Sequence, residues 1–255
     1  MSIISSKKYS QADSGGLIDY LWYSRYGHHS AKRDGIVNVE HADLAQHWPL
    51  FGLQIKTPRL EIRSPTDDDL PGLIAAIDTG VHDPTEVPSS TPWDSTPLLQ
   101  QRFDSLREWW SHRATWDVDD WLFDGAVFVD GKPIGVQNIR AKQFAKLRIV
   151  STGSWLGRRW QGQGLGKEMR AAVLHLAFEG LGALEARTEA YSDNERSLRV
   201  ARAFGYVPDG QEYHIRQGQR ARLLRFRLDR DTWLQHRRSD IAITGLDDCR
   251  DMFVR

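Results

Sequence analysis

The 255-residue chain is short of several things, and each shortage removes a class of function. It has one cysteine, Cys249, which excludes an internal disulfide and thiolate-rich metal sites and points to a reducing compartment. It has no surplus of charge. Its 34 Lys and Arg balance 34 Asp and Glu, so no global field holds it on nucleic acid or on an anionic membrane, and any charge-based function is local. No apolar run approaches the roughly 18 residues of a membrane span, and residues 1–16 lack the apolar stretch of a secretory signal. The expectation is a cytoplasmic protein with neither a membrane nor a nucleic-acid partner.

Tryptophan, by contrast, is plentiful. Five of the ten (Trp93, Trp109, Trp110, Trp116 and Trp121) fall in one stretch, where they either wall a ligand pocket or cover a core. With 40 % apolar residues the chain can bury a sizeable core, and its length fits one domain with extensions. Residues 1–47 are polar, with Gly15-Gly16 and His28-His29 and at most a helix around Leu17–Tyr26, and read as an N-terminal extension. The domain proper spans 48–238, and 239–255 reads as a C-terminal tail whose Ile241–Ile243 is free to pair with a partner strand.

Within the domain the hydrophobic period switches repeatedly. Leu60–Arg63 alternates as a half-buried strand, and Leu70, Leu73, Ile74 and Ile77 then recur with helical spacing behind a cap at Thr66 or Asp67. The stretch 79–97 holds four prolines and must be irregular, and a helix follows from Leu98 to His112. Strands at Ala126–Val129 and Pro133–Asn138 meet at Asp130-Gly131, a hairpin turn pair, and a third strand runs from Leu147 to Leu156. After it come a helix through Met169, Ala172, Val173 and Leu176, a strand from Leu184 to Ala190, and a short helix opened by a Ser192/Glu195 capping box. Two last strands meet at Gln217-Gly218. The fold class is α+β, with a mixed, mostly antiparallel central sheet flanked by helices.

One window carries chemistry. Between a strand and an amphipathic helix lies Trp155-Leu156, then Gln161-Gly162-Gln163-Gly164-Leu165-Gly166-Lys167. Alternating glycines let the backbone approach a ligand closely, and the free N–H groups and dipole of the next helix favour an anion such as pyrophosphate. A Walker loop is excluded, because Gln161 and Glu168 stand where it requires Gly and Ser or Thr, and neither register fits a dinucleotide fingerprint.

Gln161-Gly162-Gln163-Gly164-Leu165-Gly166 resembles the (Q/R)xxGx(G/A) signature of the GNAT family of N-acetyltransferases. Trp155-Leu156 ahead of it, with Asn194-Glu195-Arg196-Ser197 and Phe204-Gly205-Tyr206 behind, resembles the RimJ/RimL branch. Phrases such as Thr57-Pro58-Arg59-Leu60 and Thr152-Gly153-Ser154-Trp155 are similar to an actinobacterial group with a succinyl-CoA-using member. The resemblance covers about Pro58 to Leu228 and implies the GNAT acyl-CoA N-acyltransferase fold, with acetyl-CoA or succinyl-CoA as co-substrate and no metal. It implies coenzyme contacts from Trp155, Leu156, Gln161, Gly162, Gln163, Gly164, Leu165, Gly166, Lys167, Asn194 and Ser197, with the Trp155 N–H or a neighbour polarising the thioester carbonyl. A tyrosine that many GNAT proteins use to protonate the thiolate is replaced here by Ala201, so Ser197 is the candidate donor, or else a helix residue bonded to a carbonyl.

For the base, Glu189 either faces the acceptor cleft or is a surface carboxylate. Trp93, Trp116, Asp120 and Trp121 are the candidates for an amine acceptor through charge pairing and cation–π contact, or form a capped loop over a core. His112 titrates near neutrality, and Lys142, Lys146 and Arg148 are among the cations open to a succinyl carboxylate. The implied activity is acyl transfer to a primary amine of a small molecule, peptide or protein, by a monomer or homodimer. A noncatalytic acyl-CoA-binding sensor is the alternative.

Overall fold

The computed structural model describes residues 44–82 and 96–255. Most of the expected extension, including Leu17–Tyr26 and the His28-His29 pair, lies outside the described residues, as does Trp93.

Where apolar residues alternate, the chain is extended. The strands are β1 (Gln54–Lys56), β2 (Glu61–Arg63), β3 (Asp120–Val129), β4 (Lys132–Lys142), β5 (Ile149–Leu156), β6 (Glu185–Tyr191), β7 (Val207–Arg216), β8 (Gln219–Asp229) and β9 (Ala242–Thr244). They form one sheet in the order β7-β8-β6-β5-β4-β3-β2-β1-β9, and every neighbouring pair is antiparallel except β5 and β6. Both predicted hairpins form. Asp130-Gly131 has φ of +48° and +72° and Gln217-Gly218 has +50° and +74°, the two-residue turn whose twist matches the strands.

Helices cover both faces: α1 (Leu70–Asp78), α2 (Leu98–Ala114), α3 (Phe144–Leu147), α4 (Leu165–His175), α5 (Glu195–Ala203), α6 (Arg230–Leu234) and α7 (Leu246–Phe253). Leu70, Leu73 and Ile77 of α1 and Trp109 of α2 bury against Ala126, Phe128 and Val136 on one face. The larger core, on the other, joins Met169 and Val173 of α4 to Phe123, Ile139, Val150 and Phe253. Among the described residues no helix is long and apolar enough to cross a membrane.

Two expectations fail for local reasons. The cap of α5 is Asn194, whose side chain accepts from Ser197 N–H at 3.1 Å, so the Ser192/Glu195 box gives way to a nearer cap. The segment 239–255 is no free tail. β9 pairs with β1 in register Ile55↔Ile243, and α7 buries Leu246, Cys249 and Phe253. Phe253 sits edge-on to Trp116, Trp121 and Phe123, so its short segment closes the core and is worth about 3–5 kcal/mol at that one ring.

Candidate active site

The parallel contact between β5 and β6 is brief, running only from Ile149↔Glu185 to Ser151↔Arg187. Beyond it both strands continue without pairing, β5 to Leu156 and β6 to Tyr191, which leaves a fork in the middle of the sheet. Threonine side chains hold its apex. Thr152 Oγ1 donates to Arg187 O at 3.3 Å, Thr188 Oγ1 donates to Thr152 O at 3.2 Å, and Arg170 Nη1 of α4 donates to Thr188 Oγ1 at 3.2 Å.

The other edge of β5 stays paired with β4 out to Gly135↔Leu156. Backbone groups of one strand alternate sides. Thr152 O faces β6 and the Gly153 N–H faces β4, where it donates to Asn138 Oδ1 at 2.7 Å. The amide turned into the fork is therefore that of Ser154. Of the expected donors, the Trp155 N–H or a neighbour, this alternation turns the Ser154 N–H toward the fork. The Trp155 ring packs with the α1/α2 cluster instead.

The fork leads onto the glycine loop. Gly162 and Gly164 have φ of +76° and +80°, a region open to glycine at little cost, and a Cβ built at Gly162 meets nothing within 4 Å. Among the described residues no group accepts from the amides of Gly162, Gln163, Gly164, Leu165 or Gly166. Gly164 caps α4, so these donors lie at the positive end of its dipole, with exposed Lys167 in its first turn. Gln161 points inward: its Nε2 donates to Val81 O at 2.6 Å and Leu156 O at 2.8 Å, and Arg196 of α5 donates to its Oε1.

A brace fixes this loop from across the chain. Glu168, 3 % exposed, accepts from Thr57 Oγ1 at 2.6 Å, from Arg59 N at 3.1 Å and from Arg59 Nε at 2.6 Å, and Arg59 Nη1 reaches Gln163 O at 3.0 Å. Burial alone would raise the Glu168 carboxyl, but the Thr57 and Arg59 hydrogen bonds hold it below its ordinary value. A fork with open strand edges, leading to bare amides at a helix N-terminus, is shaped for a long ligand with an amide-bearing arm and a pyrophosphate.

Residues 59–207, more than half of the chain, match the acetyltransferase (GNAT) domain family. The chain belongs to the GNAT family. Its fold is shared with solved structures at low identity. RimJ of Mycobacterium smegmatis, in complex with a coenzyme A disulfide, has a TM-score of 0.62 at 14 % identity, covering 79 % of this chain and 94 % of that one. RimL, a ribosomal-protein α-N-acetyltransferase in complex with coenzyme A, has a TM-score of 0.55 at 18 % identity, covering 69 % and 97 %. A GCN5-related N-acetyltransferase from Brucella melitensis matches with 0.55 at 18 %, covering 71 % and 80 %.

Against this GNAT frame the remaining expected residues divide. Ser197 lies in the first turn of α5, half-buried, and Asn194 is spent on capping that helix. Glu189 is exposed on β6 beyond the fork apex. One acceptor candidate is corrected. Trp121 is 1 % exposed, stacked on Trp116 at 6.1 Å, with its Nε1 donating to Phe253 O at 3.1 Å, so it is core. Asp120 pairs at 2.9 Å with Lys142 on the surface, a contact worth little. Trp116 is half-buried with its Nε1 bonded to Met252 O, while its ring lines a small cavity beside His112. Among the described residues no three His, Cys, Asp or Glu converge to hold a metal ion.

Sequence reasoning missed the Thr57–Arg59–Glu168 brace, although the Thr57–Leu60 phrase had been singled out. It also missed Arg170, whose only signal was a charge on the apolar face of α4, and the pairing of His112 with Asp124.

Proposed function

We propose that this GNAT chain is an acyl-CoA-dependent N-acyltransferase that moves an acetyl group from acetyl-CoA to a primary amine of a small molecule, peptide or protein. The observation that carries it is the continuity of the β5/β6 fork with the bare amides of 162–166. The pantetheine amides add to the open edge of β5 as a short strand, and the pyrophosphate lies on the Gly162–Lys167 backbone. The Ser154 N–H polarises the thioester carbonyl as it takes on negative charge, and the amine attacks directly. Ser197 supplies the proton to the leaving thiolate, and Glu189, at the open strand, draws the ammonium in.

A specific observation favours succinyl-CoA as a second donor. Arg170 is 5 % exposed, its Nε has no partner, and among the described residues no carboxylate pairs with it. It hangs on Thr188 at the floor of the fork. A buried, uncompensated cation is costly unless something completes it, and an acyl chain ending in a carboxylate would do so.

The test is thiol release from acetyl-CoA and succinyl-CoA with a panel of primary amines. Release of coenzyme A matched by acylated amine supports the reading, and Ser197→Ala lowers it. Tight acyl-CoA binding with no release from any amine would leave a sensor module. Faster turnover of succinyl-CoA that disappears in Arg170→Leu selects the second donor.

A further inference from the structure

The sheet has two open edges, and they differ. β9 ends it on one side with three residues, whereas β7 ends it on the other with ten. A long bare strand offers a row of N–H and C=O groups to any other strand, so its breaks and its side chains decide what pairs with it. Pro208, which has no N–H, and Gly210, with φ of +104°, interrupt the ladder between Pro208 and Gln211. The straight part of the edge is 211–216.

The Gln217-Gly218 turn settles which groups of that edge look outward. Arg216 and Gln219 flank a two-residue turn and bond to one another, and by alternation so do His214 with Ala221 and Glu212 with Leu223. Gln211, Tyr213 and Ile215 therefore turn their N–H and C=O groups away from β8. The next strand inward agrees: Ser192 N–H donates to Arg222 O at 2.9 Å, so Arg222, in register with Tyr213, turns its own groups away from β7. Among the described residues no other backbone group bonds to Gln211, Tyr213 or Ile215. Ile215 is 74 % exposed, more than any other large apolar side chain among the described residues, and Tyr213 is 49 % exposed.

We propose that this edge pairs antiparallel with the same edge of a second copy of the chain, about a twofold axis at His214. Tyr213 then meets the partner's Ile215 and Ile215 the partner's Tyr213, joined by four backbone hydrogen bonds, with an aromatic ring against a β-branched side chain. On the same face Arg222 and Arg220 stand in register with Tyr213 and Ile215 and flank the apolar pair with their stems, Arg220 lying 3.6 Å over the Tyr213 ring. On the other face Glu212 meets the partner's Arg216, opposite in charge. Only residues with outward groups can bond across the edge, so the register moves in whole steps, and its neighbours fit worse. An axis at Tyr213 sets Ile215 against Gln211 and Arg216 against Gly210 at the bulge, and an axis at Ile215 sets Arg216 against His214. The paired stretch is about 20 Å long and buries less than a permanent dimer does, so the association is reversible and roughly micromolar.

Sedimentation velocity of the whole chain from about 1 to 200 µM, at about pH 8 where the facing imidazoles are neutral, should show monomer passing to dimer. Ile215→Asp removes the apolar contact, and Ile215→Pro removes one outward N–H while leaving the ladder to β8 intact. Each should weaken the dimer about tenfold or more with the melting temperature changed by less than about 2 °C. Leu99→Asp, at another exposed apolar residue, on α2, should leave the dimer unchanged. Amide hydrogen exchange reads the pairing itself: raising the concentration should slow Tyr213 and Ile215, whereas Glu212, His214 and Arg216, bonded to β8, are slow throughout. A chain that stays monomeric across the range overturns the proposal. So does a dimer that both Ile215 variants keep at full strength, or one in which the Tyr213 and Ile215 amides exchange as in the monomer.

Discussion

Glu168→Gln isolates the brace that holds the glycine loop. The carboxylate is nearly fully buried and receives three hydrogen bonds from Thr57 and Arg59, two of them from a guanidinium arm or the amide beside it. Breaking a buried ion pair costs about 3–5 kcal/mol. Two facts reduce that here: Arg59 is half exposed and can return its charge to water, and the glutamine oxygen still accepts from Thr57 and the Arg59 amide. A cost of about 2–4 kcal/mol remains, which in a domain of this size lowers the melting temperature by roughly 5–15 °C. The pH dependence has a definite sign. A carboxyl held below its ordinary value contributes stability that is complete above the unfolded carboxylate range and is lost as pH falls through the folded value. The gap between wild type and variant, followed by circular dichroism melts, should be full near about pH 7 and close progressively below about pH 4.5. A gap under about 1 °C near neutrality, or one that stays constant into acid, would refute the brace.

Two further substitutions separate site from scaffold. Gly162→Ala forces a side chain into φ of +76° at a cost of about 1–2 kcal/mol, yet its Cβ touches no protein atom, so any loss of coenzyme A affinity beyond a small one reports the ligand. Calorimetry should show Kd weakened about tenfold or more, and an unchanged Kd would move the pyrophosphate elsewhere. Trp121→Phe removes the bond to Phe253 O and should lower stability by about 1–3 kcal/mol with amine KM unchanged, whereas a selective rise in KM would restore Trp121 to the acceptor side.

The architecture was readable because its signals are local. Asp130-Gly131 and Gln217-Gly218 demand positive φ at both positions, and the strands they join alternate cleanly. The glycine loop was legible for the same reason. What stayed hidden depends on register and on distance along the chain. Alternation alone cannot say which of two neighbouring amides faces an unpaired edge, so the Trp155 amide and its neighbours stood together as candidates. Glu168 and Arg59 are 109 residues apart and meet only because α4 crosses the β1–β2 turn. Trp121 misled because an aromatic cluster reads alike as pocket wall or core; the decision came from Phe253, on a segment that looked like a tail. His112 and Asp124 lie on a helix and a strand with nothing in either local pattern to link them.

The central claim is that the acyl donor occupies the β5/β6 fork with its pyrophosphate on the N-terminus of α4. Amide hydrogen exchange on the whole chain, with and without acetyl-CoA, addresses it at the amides themselves. Slowed exchange at Ser154 and across 162–167, with the β7–β8 hairpin turn unchanged, is the predicted result. Protection that spares those amides while acetyl-CoA is bound would contradict it.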